Sequence, residues 1–191
     1  MTYAKYIRRT WRIVSCTALI FPAPFPVGSK DTLAAAMDEP TVKAAFVLNF
    51  ARYTQWPEDH FETADEPCEL AVFGGSGMEK AFQRIEGKPI GSRPLKVRFT
   101  DDPETLEGSH IVFFCRETSL EKRLAALDAV KDASTLTIGD DMPRFLGSGG
   151  LINMFKKNDR LRFEINVERA LQVRLRFRSR LLRHAIIVGG P

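Results

Sequence analysis

Apolar and polar residues change their period along the chain in a readable order. In "TVKAAFVLNFARYT", residues 41–54, the side chains of Val42, Ala45, Phe46, Asn49, Phe50 and Tyr53 recur at spacings of three and four. That period predicts a helix with these residues on one face, capped by Thr41 after Pro40. "QWP" ends it, because the residue before a proline avoids helical geometry. An acidic loop follows, with Glu58, Asp59, Glu62, Asp65 and Glu66. "CELAVFGG", 68–75, then reads as a short strand closing in a glycine turn, and "GMEKAFQRI", 77–85, as a helix. "RPLKVRF", 93–99, alternates like a strand. "HIVFFC", 110–115, is a continuous apolar run, the mark of a strand buried on both faces. "SLEKRLAALDAVK", 119–131, is an amphipathic helix opened by Ser119, and "STLTIGD", 134–140, another strand. Strands alternating with helices predict a parallel sheet.

After residue 140 the pattern changes. "LINMF" and "LRFEIN" flank "KKNDR" and predict an antiparallel hairpin. "NVERALQ", 166–172, starts a helix at an Asn cap, "LRFR" alternates, and "SRLLRHAII", 179–187, reads as a last helix capped by Ser179. No repeat or low-complexity linker divides the chain. The expected fold is α/β: a single compact sandwich domain with a mainly parallel sheet and a C-terminal antiparallel hairpin.

Charge sharpens the domain reading. Residues 1–36 carry Lys5, Arg8, Arg9, Arg12 and Lys30 against Asp31, so the whole formal charge of +4 falls there and the rest of the chain balances. A basic start, the apolar run "IVSCTALIFPAPFPV" and Ala34-Ala35-Ala36 form the layout of a secretory signal peptide. A positively charged tail is the alternative. The run is too short and too broken by Pro22, Pro24 and Pro26 to span a bilayer, and residues 37–191, the expected domain, contain no stretch of ~18 apolar residues. A neutral body argues against nucleic acid, whose binding rests on neutralising phosphates.

Several segments hold candidate chemistry. Gly74, Gly75 and Gly77 sit between a strand and a helix, where a phosphate can lie on free amides, but neither dinucleotide nor P-loop spacing is present, and tight turning explains them as well. Asp140 and Asp141 stand just beyond a strand's C-terminal end, where α/β folds bind ligands; loop hydrogen bonds are the competing role, and no further residue is spaced to complete a metal shell. His60, His110 and His184 are far apart, and no serine elbow, Cys–His signature or zinc spacing occurs. The expectation is therefore no enzyme, no metal and no cofactor. Residues 169–184 are more suggestive: Arg169, Arg174, Arg176, Arg178, Arg180, Arg183 and His184, with no acid. Such a cluster can receive a carboxylate, a phosphate or an acidic protein surface. A solvated face balanced by the acidic loop is the equal alternative.

In order along the chain, "VKAAFVLNFARYTQWP", "CELAVFGG", "GKPIGSRPLKV", "SHIVFF", "LTIGDD", "GSGGLINMF", "RLRFEIN" and "SRLLRHA" resemble the YfiR family of periplasmic proteins, over about residues 41–188. The resemblance implies a periplasmic negative regulator. Such a protein binds the sensor domain of an inner-membrane diguanylate cyclase and lowers cyclic-di-GMP signalling and biofilm formation. A second reading is a periplasmic small-ligand-binding subunit that feeds another membrane receptor such as a sensor kinase. A small anionic or aromatic ligand and a homodimer stay open.

The candidate binding residues follow. Asn49, on the apolar face, is expected to hydrogen-bond a backbone group, since burying an unpaired amide is costly. Arg52 and Trp56, at the helix exit, are expected to line a ligand or partner pocket, with plain burial of the indole as the alternative. Arg176, Arg178 and Arg180 come from the basic cluster. Glu164 and Asn166, in "FEIN", are read as supporting the fold first and lining a pocket second.

One departure from the family concerns cysteine. Where relatives commonly carry a cysteine at the strand start, this chain has Ser109 before His110; its cysteine is Cys115, at the strand's other end. If the strands after Cys68 and Ser109 run parallel, Cys115 lies roughly 20 Å from Cys68, and a disulfide needs Cα atoms within ~7 Å. Both thiols are expected to be unpaired, and any redox control suggested for relatives absent or different.

Overall fold

The computed structural model describes residues 38–63, 65–75 and 77–189. The expected leader, residues 1–36, lies outside the described residues, as does Cys16. The described residues belong to one unit, Ala36–Pro191.

The first helix, α1, runs Glu39–Tyr53 and ends in a two-residue strand, β1 (Thr54–Gln55). It differs from the sequence reading at its start and on its face. Asp38 takes the N-cap position with Pro40 in the first turn, and Thr41 is helical, its Oγ1 accepting from Arg84 Nη1 at 2.8 Å. The buried face is Lys43, Ala44, Val47, Leu48, Phe50 and Ala51. Small and aliphatic side chains let the helix approach the sheet closely, which turns Phe46 and Tyr53 to its flank. Asn49 is consequently exposed, and its expected buried hydrogen bond to a backbone group does not form.

The central strands follow the predicted alternation. β2 (Cys68–Phe73), α2 (Glu79–Gln83), β3 (Pro89–Ile90), β4 (Arg93–Thr100), β5 (Ile111–Phe114), α3 (Leu120–Ala129) and β6 (Leu136–Asp140) succeed one another. β2 pairs in parallel with β4 and with β5, and β5 in parallel with β6. The apolar run of β5 is explained by its two faces. Ile111 and Phe113 join the core with Leu70 and Val72, while Val112 and Phe114 join the opposite one with Ala71 and Phe73. Phe113 packs on Phe82 of α2 at 4.8 Å between rings, and Phe114 on Phe145 at 5.3 Å. Each such side chain contributes on the order of 2–3 kcal/mol by leaving water. Ser119 caps α3 as read from the sequence, accepting from Lys122 N at 3.3 Å.

The C-terminal third adds β7 (Ile152–Lys157), β8 (Arg160–Asn166), α4 (Val167–Gln172), β9 (Arg176–Phe177), α5 (Ser179–Leu182) and β10 (Ile186–Val188). β7 and β8 are the predicted hairpin, joined through Asn158 and Asp159, both left-handed at φ 51° and 55°. Asn and Asp tolerate that region and match the twist of a two-residue hairpin. β7 is parallel to β6, so the hairpin completes an eight-stranded, mostly parallel sheet ordered β10-β8-β7-β6-β5-β2-β4-β3. The expected helix over 179–187 is corrected. Only Ser179–Leu182 is helical, Arg178 holds the N-cap position, and Ile186–Val188 pair in parallel with Glu164–Asn166. A run of β-branched residues fits a strand better than a helix, and β8 offered a free edge. β9 and β1 form a separate antiparallel ribbon, Thr54 opposite Phe177 and Gln55 opposite Arg176.

Candidate functional site

The sequence candidates divide into groups once folded. Asn49 and Arg180 meet across a groove of about 340 Å³, between α1 on one side and β8 and α5 on the other. Its floor is aromatic. Phe46 packs edge-on against Phe50 at 5.9 Å and Phe163 at 6.2 Å, and Phe50 lies 4.8 Å from Phe163. Its rim is Asn49, Arg162, Arg180 and His184, and no acid lines it. The Arg180 guanidinium sits 5.7 Å from the Tyr53 ring, an arrangement that holds a cation over an aromatic face. An adjoining hollow of about 520 Å³ shares Arg162, Phe163 and His184 and adds Lys157 and Arg160, again without an acid. The two together form a basic channel with an apolar floor.

Trp56 and Arg176 meet in a second groove, of about 470 Å³, with Gln55, Glu58 and Arg174. The β1–β9 ribbon joins it to the first groove, since Arg178 N donates to Tyr53 O at 2.9 Å. Arg174 is already engaged: its Nη2 donates to both Asp59 oxygens, at 2.7 and 2.9 Å. That hydrogen bond holds the Asp59 carboxyl below the ordinary carboxylate range. Arg174 and Arg176 do not alternate on a long strand as read from the sequence. Arg174 is left-handed at φ 62° and β9 begins only at Arg176. The balance between cluster and acidic loop, left open by the sequence, is struck residue by residue: Arg174 is matched by Asp59, while Arg176, Arg178 and Arg180 stay exposed.

Three candidates lie elsewhere. Arg52 does not line the groove of Trp56; its Nε donates to Pro89 O at 2.9 Å, tying α1 to β3. Glu164 accepts from Asn153 Nδ2 at 3.0 Å. Asn166 is buried and caps α4 by accepting from Arg169 N at 2.9 Å.

The glycine turn and the paired acids also have structural work. A Cβ on Gly75 would fall 2.0 Å from Cys115 Sγ, so the turn after β2 must be glycine to pass the thiol. Asp140 is buried against Lys43 at 2.8 Å, itself buried and also bound to Glu39 at 2.7 Å, and Arg116 reaches Asp140 and Asp141 at 3.6 and 3.4 Å. Lys43, as donor to Glu39, lowers the Glu39 carboxyl pKa. Cys68 and Cys115 are free thiols. Parallel pairing of β2 and β5 sets them at opposite strand ends, and burial pushes each thiol up to about 12, which leaves little reactive thiolate.

The sequence reading missed the groove's other wall. Arg160 and Arg162 alternate with Leu161 and Phe163 in "RLRF", a signal for one basic and one apolar strand face as plain as that of "LRFR".

The fold and this site define an α/β sandwich whose open grooves pair guanidinium groups with aromatic surface. A model of the YfiR/HmsC-like family matches residues 40–186, and the chain belongs to that family. The family is a regulatory one, associated with diguanylate cyclase signalling and in general periplasmic. A search among curated proteins returned no significant match. No helix of the described residues is long and apolar enough to cross a membrane.

Proposed function

We propose that this protein is a periplasmic negative regulator that binds the sensor domain of an inner-membrane diguanylate cyclase and lowers cyclic-di-GMP output. The observation that carries the reading is the basic channel. In a member of a regulatory family, a surface with a Phe46–Phe163 floor, an Arg162–Arg180 rim and no carboxylate in its walls suits an acidic, partly apolar protein surface. Arginine and aromatic side chains are the usual anchors of such contacts, and the charge favours rapid encounter with an acidic partner. Removing the gene is expected to raise cellular cyclic-di-GMP, and re-expression to restore it. An unchanged level would count against repression.

The groove's size supports a second reading, a receptor for a small aromatic anion. About 340 Å³ is at the small end of ligand-binding sites, with the Tyr53–Arg180 stack placed to hold a ring and a carboxylate. A thermal-shift screen of amino acids and nucleotides tests it, since a ligand of the native state raises the melting temperature.

A further inference from the structure

Two histidines that the sequence keeps far apart touch at the N-terminal ends of the central strands. His110 is buried at the start of β5. Its Nδ1 accepts from Glu69 N at 3.0 Å, and its own backbone is held by Glu69 O on one side and Leu136 N on the other. An imidazole that accepts at Nδ1 is neutral, with its proton on Nε2. Here Nε2 lies 3.6 Å from Glu66 Oε1. The ring is covered by the segment between β1 and β2. Phe61 stacks on it at 4.5 Å and 12°, and His60 meets it edge-on at 4.9 Å. Trp56 stacks on His60 in turn at 6.3 Å. The His60 Nε2 is buried without a hydrogen-bond partner among the described residues.

This packing tolerates only neutral rings. A second proton on His110 must sit on Nδ1, pointing at the Glu69 N–H, so two donors would face each other where one bond now forms. A half-turn of the ring does not help, because it puts carbon in the acceptor's place. A proton on His60 would be buried beside His110. The charges around the pair are mixed. Glu66, Glu69 and Asp59 favour protonation. Arg93 opposes it at His110, and Arg174 opposes it at His60. Burial outweighs the acids at both, taking His60 down to about 4 and His110 below its ordinary value.

The covering segment is otherwise held by two arginines, Arg93 and Arg174. Arg93 donates to Thr63 O at 2.7 Å and Glu66 O at 2.9 Å and lies over the Phe61 ring at 3.8 Å. Asp59 is the carboxylate that occupies Arg174. We propose that His60 and His110 form an acid-operated latch, which holds residues 56–63 and 65–67 over the ends of β2 and β5 at neutral pH and favours their release, freeing Arg174, as the pH falls from about 7 toward 5. Release leaves the Arg174 guanidinium without its carboxylate, beside Arg176, and uncovers Trp56. It is a control on the protein's basic surface and does not depend on which partner that surface takes.

The test is amide hydrogen exchange of the full protein from pH 7 to pH 5, corrected for the intrinsic pH dependence of exchange. That range spares Asp59, held ionised by Arg174. Opening of 56–67 relative to β6 is expected to rise about 20-fold from His60 alone, given a shift from 6.5 to about 4, and further with His110. His60→Phe together with His110→Asn, which keeps a ring at position 60 and an acceptor oxygen at position 110, should flatten the dependence. Opening that ignores pH in the wild type, or keeps its full dependence in the double variant, overturns the latch. Should that variant not fold, NMR titration of the two wild-type imidazoles decides: ordinary titration near 6.5 with the segment still closed contradicts the proposal, and titration coupled to opening supports it.

Discussion

The two ends of the central strands bury titratable groups in opposite ways. At the C-terminal ends, Lys43 and Asp140 are both buried and paired with each other, each in contact with a further group of opposite sign, Glu39 and Arg116. At the N-terminal ends, His110 and His60 are held neutral by a backbone donor and by each other's rings. The lesson is about what burial demands. A charge that stays ionised inside a protein needs an opposite charge at contact distance, and the lysine end supplies it. A group that can discard its charge needs only a shape that excludes the proton. The first arrangement rests on opposite charges at contact distance. The second is stable only while the proton stays away.

The comparison breaks most severely at the lysine end. Lys43→Ala leaves Asp140 buried with Arg116 at 3.6 Å as its nearest cation. Loss of one partner of a buried pair is expected to cost about 3–5 kcal/mol, read as a fall in the urea midpoint. Replacing both, as Lys43→Met with Asp140→Leu, should cost less than the single change, because no charge is stranded.

Acid tests the other end at a smaller scale. His60 and His110 have folded values below the unfolded 6.5, so the unfolded chain binds more protons and stability falls with pH. The loss begins near 6.5 and, for His60, is complete near 4. With His60 only part buried and screened by solvent, about 1–2 kcal/mol is expected to disappear between pH 7 and 5. Urea titrations at the two pH values check the sign; stability that rises toward pH 5 would contradict it.

The smallest effect belongs to a pair that looks strong on geometry alone. Arg174 and Asp59 form a two-pronged bond but are 63% and 66% exposed. Arg174→Ala is expected to leave the urea midpoint at neutral pH unchanged within error, since solvent screens exposed pairs. Its effect should appear instead in the opening of segment 56–67.

These contrasts also show what was legible in the chain. The buried strand Ile111–Phe114, the Ser119 cap and the hairpin around Asn158–Asp159 were readable because local pattern and tertiary burial agree there. Ile186–Val188 was not, because three residues beyond a helical pattern become a strand only when β8 supplies an edge. Asn49 was placed on the wrong face for a related reason. The helical period marks two apolar stripes on α1, and only the sheet selects which is buried. The arginines of 174–180 were visible as a cluster, but which of them keeps a free charge depends on Asp59, 115 residues away in sequence. The contact between His60 and His110 is a matter of topology alone, set by β1 delivering Trp56 to the end of β5.

The proposed regulator stands on the basic channel meeting a cyclase sensor domain. The direct measurement is binding of the purified protein to that domain, at two salt concentrations, beside the Arg162→Glu/Arg180→Glu variant. The account predicts saturable binding that weakens with salt and falls at least about 10-fold in the variant, with folding unchanged. Binding of equal strength in the variant, or none in the wild type, would contradict it.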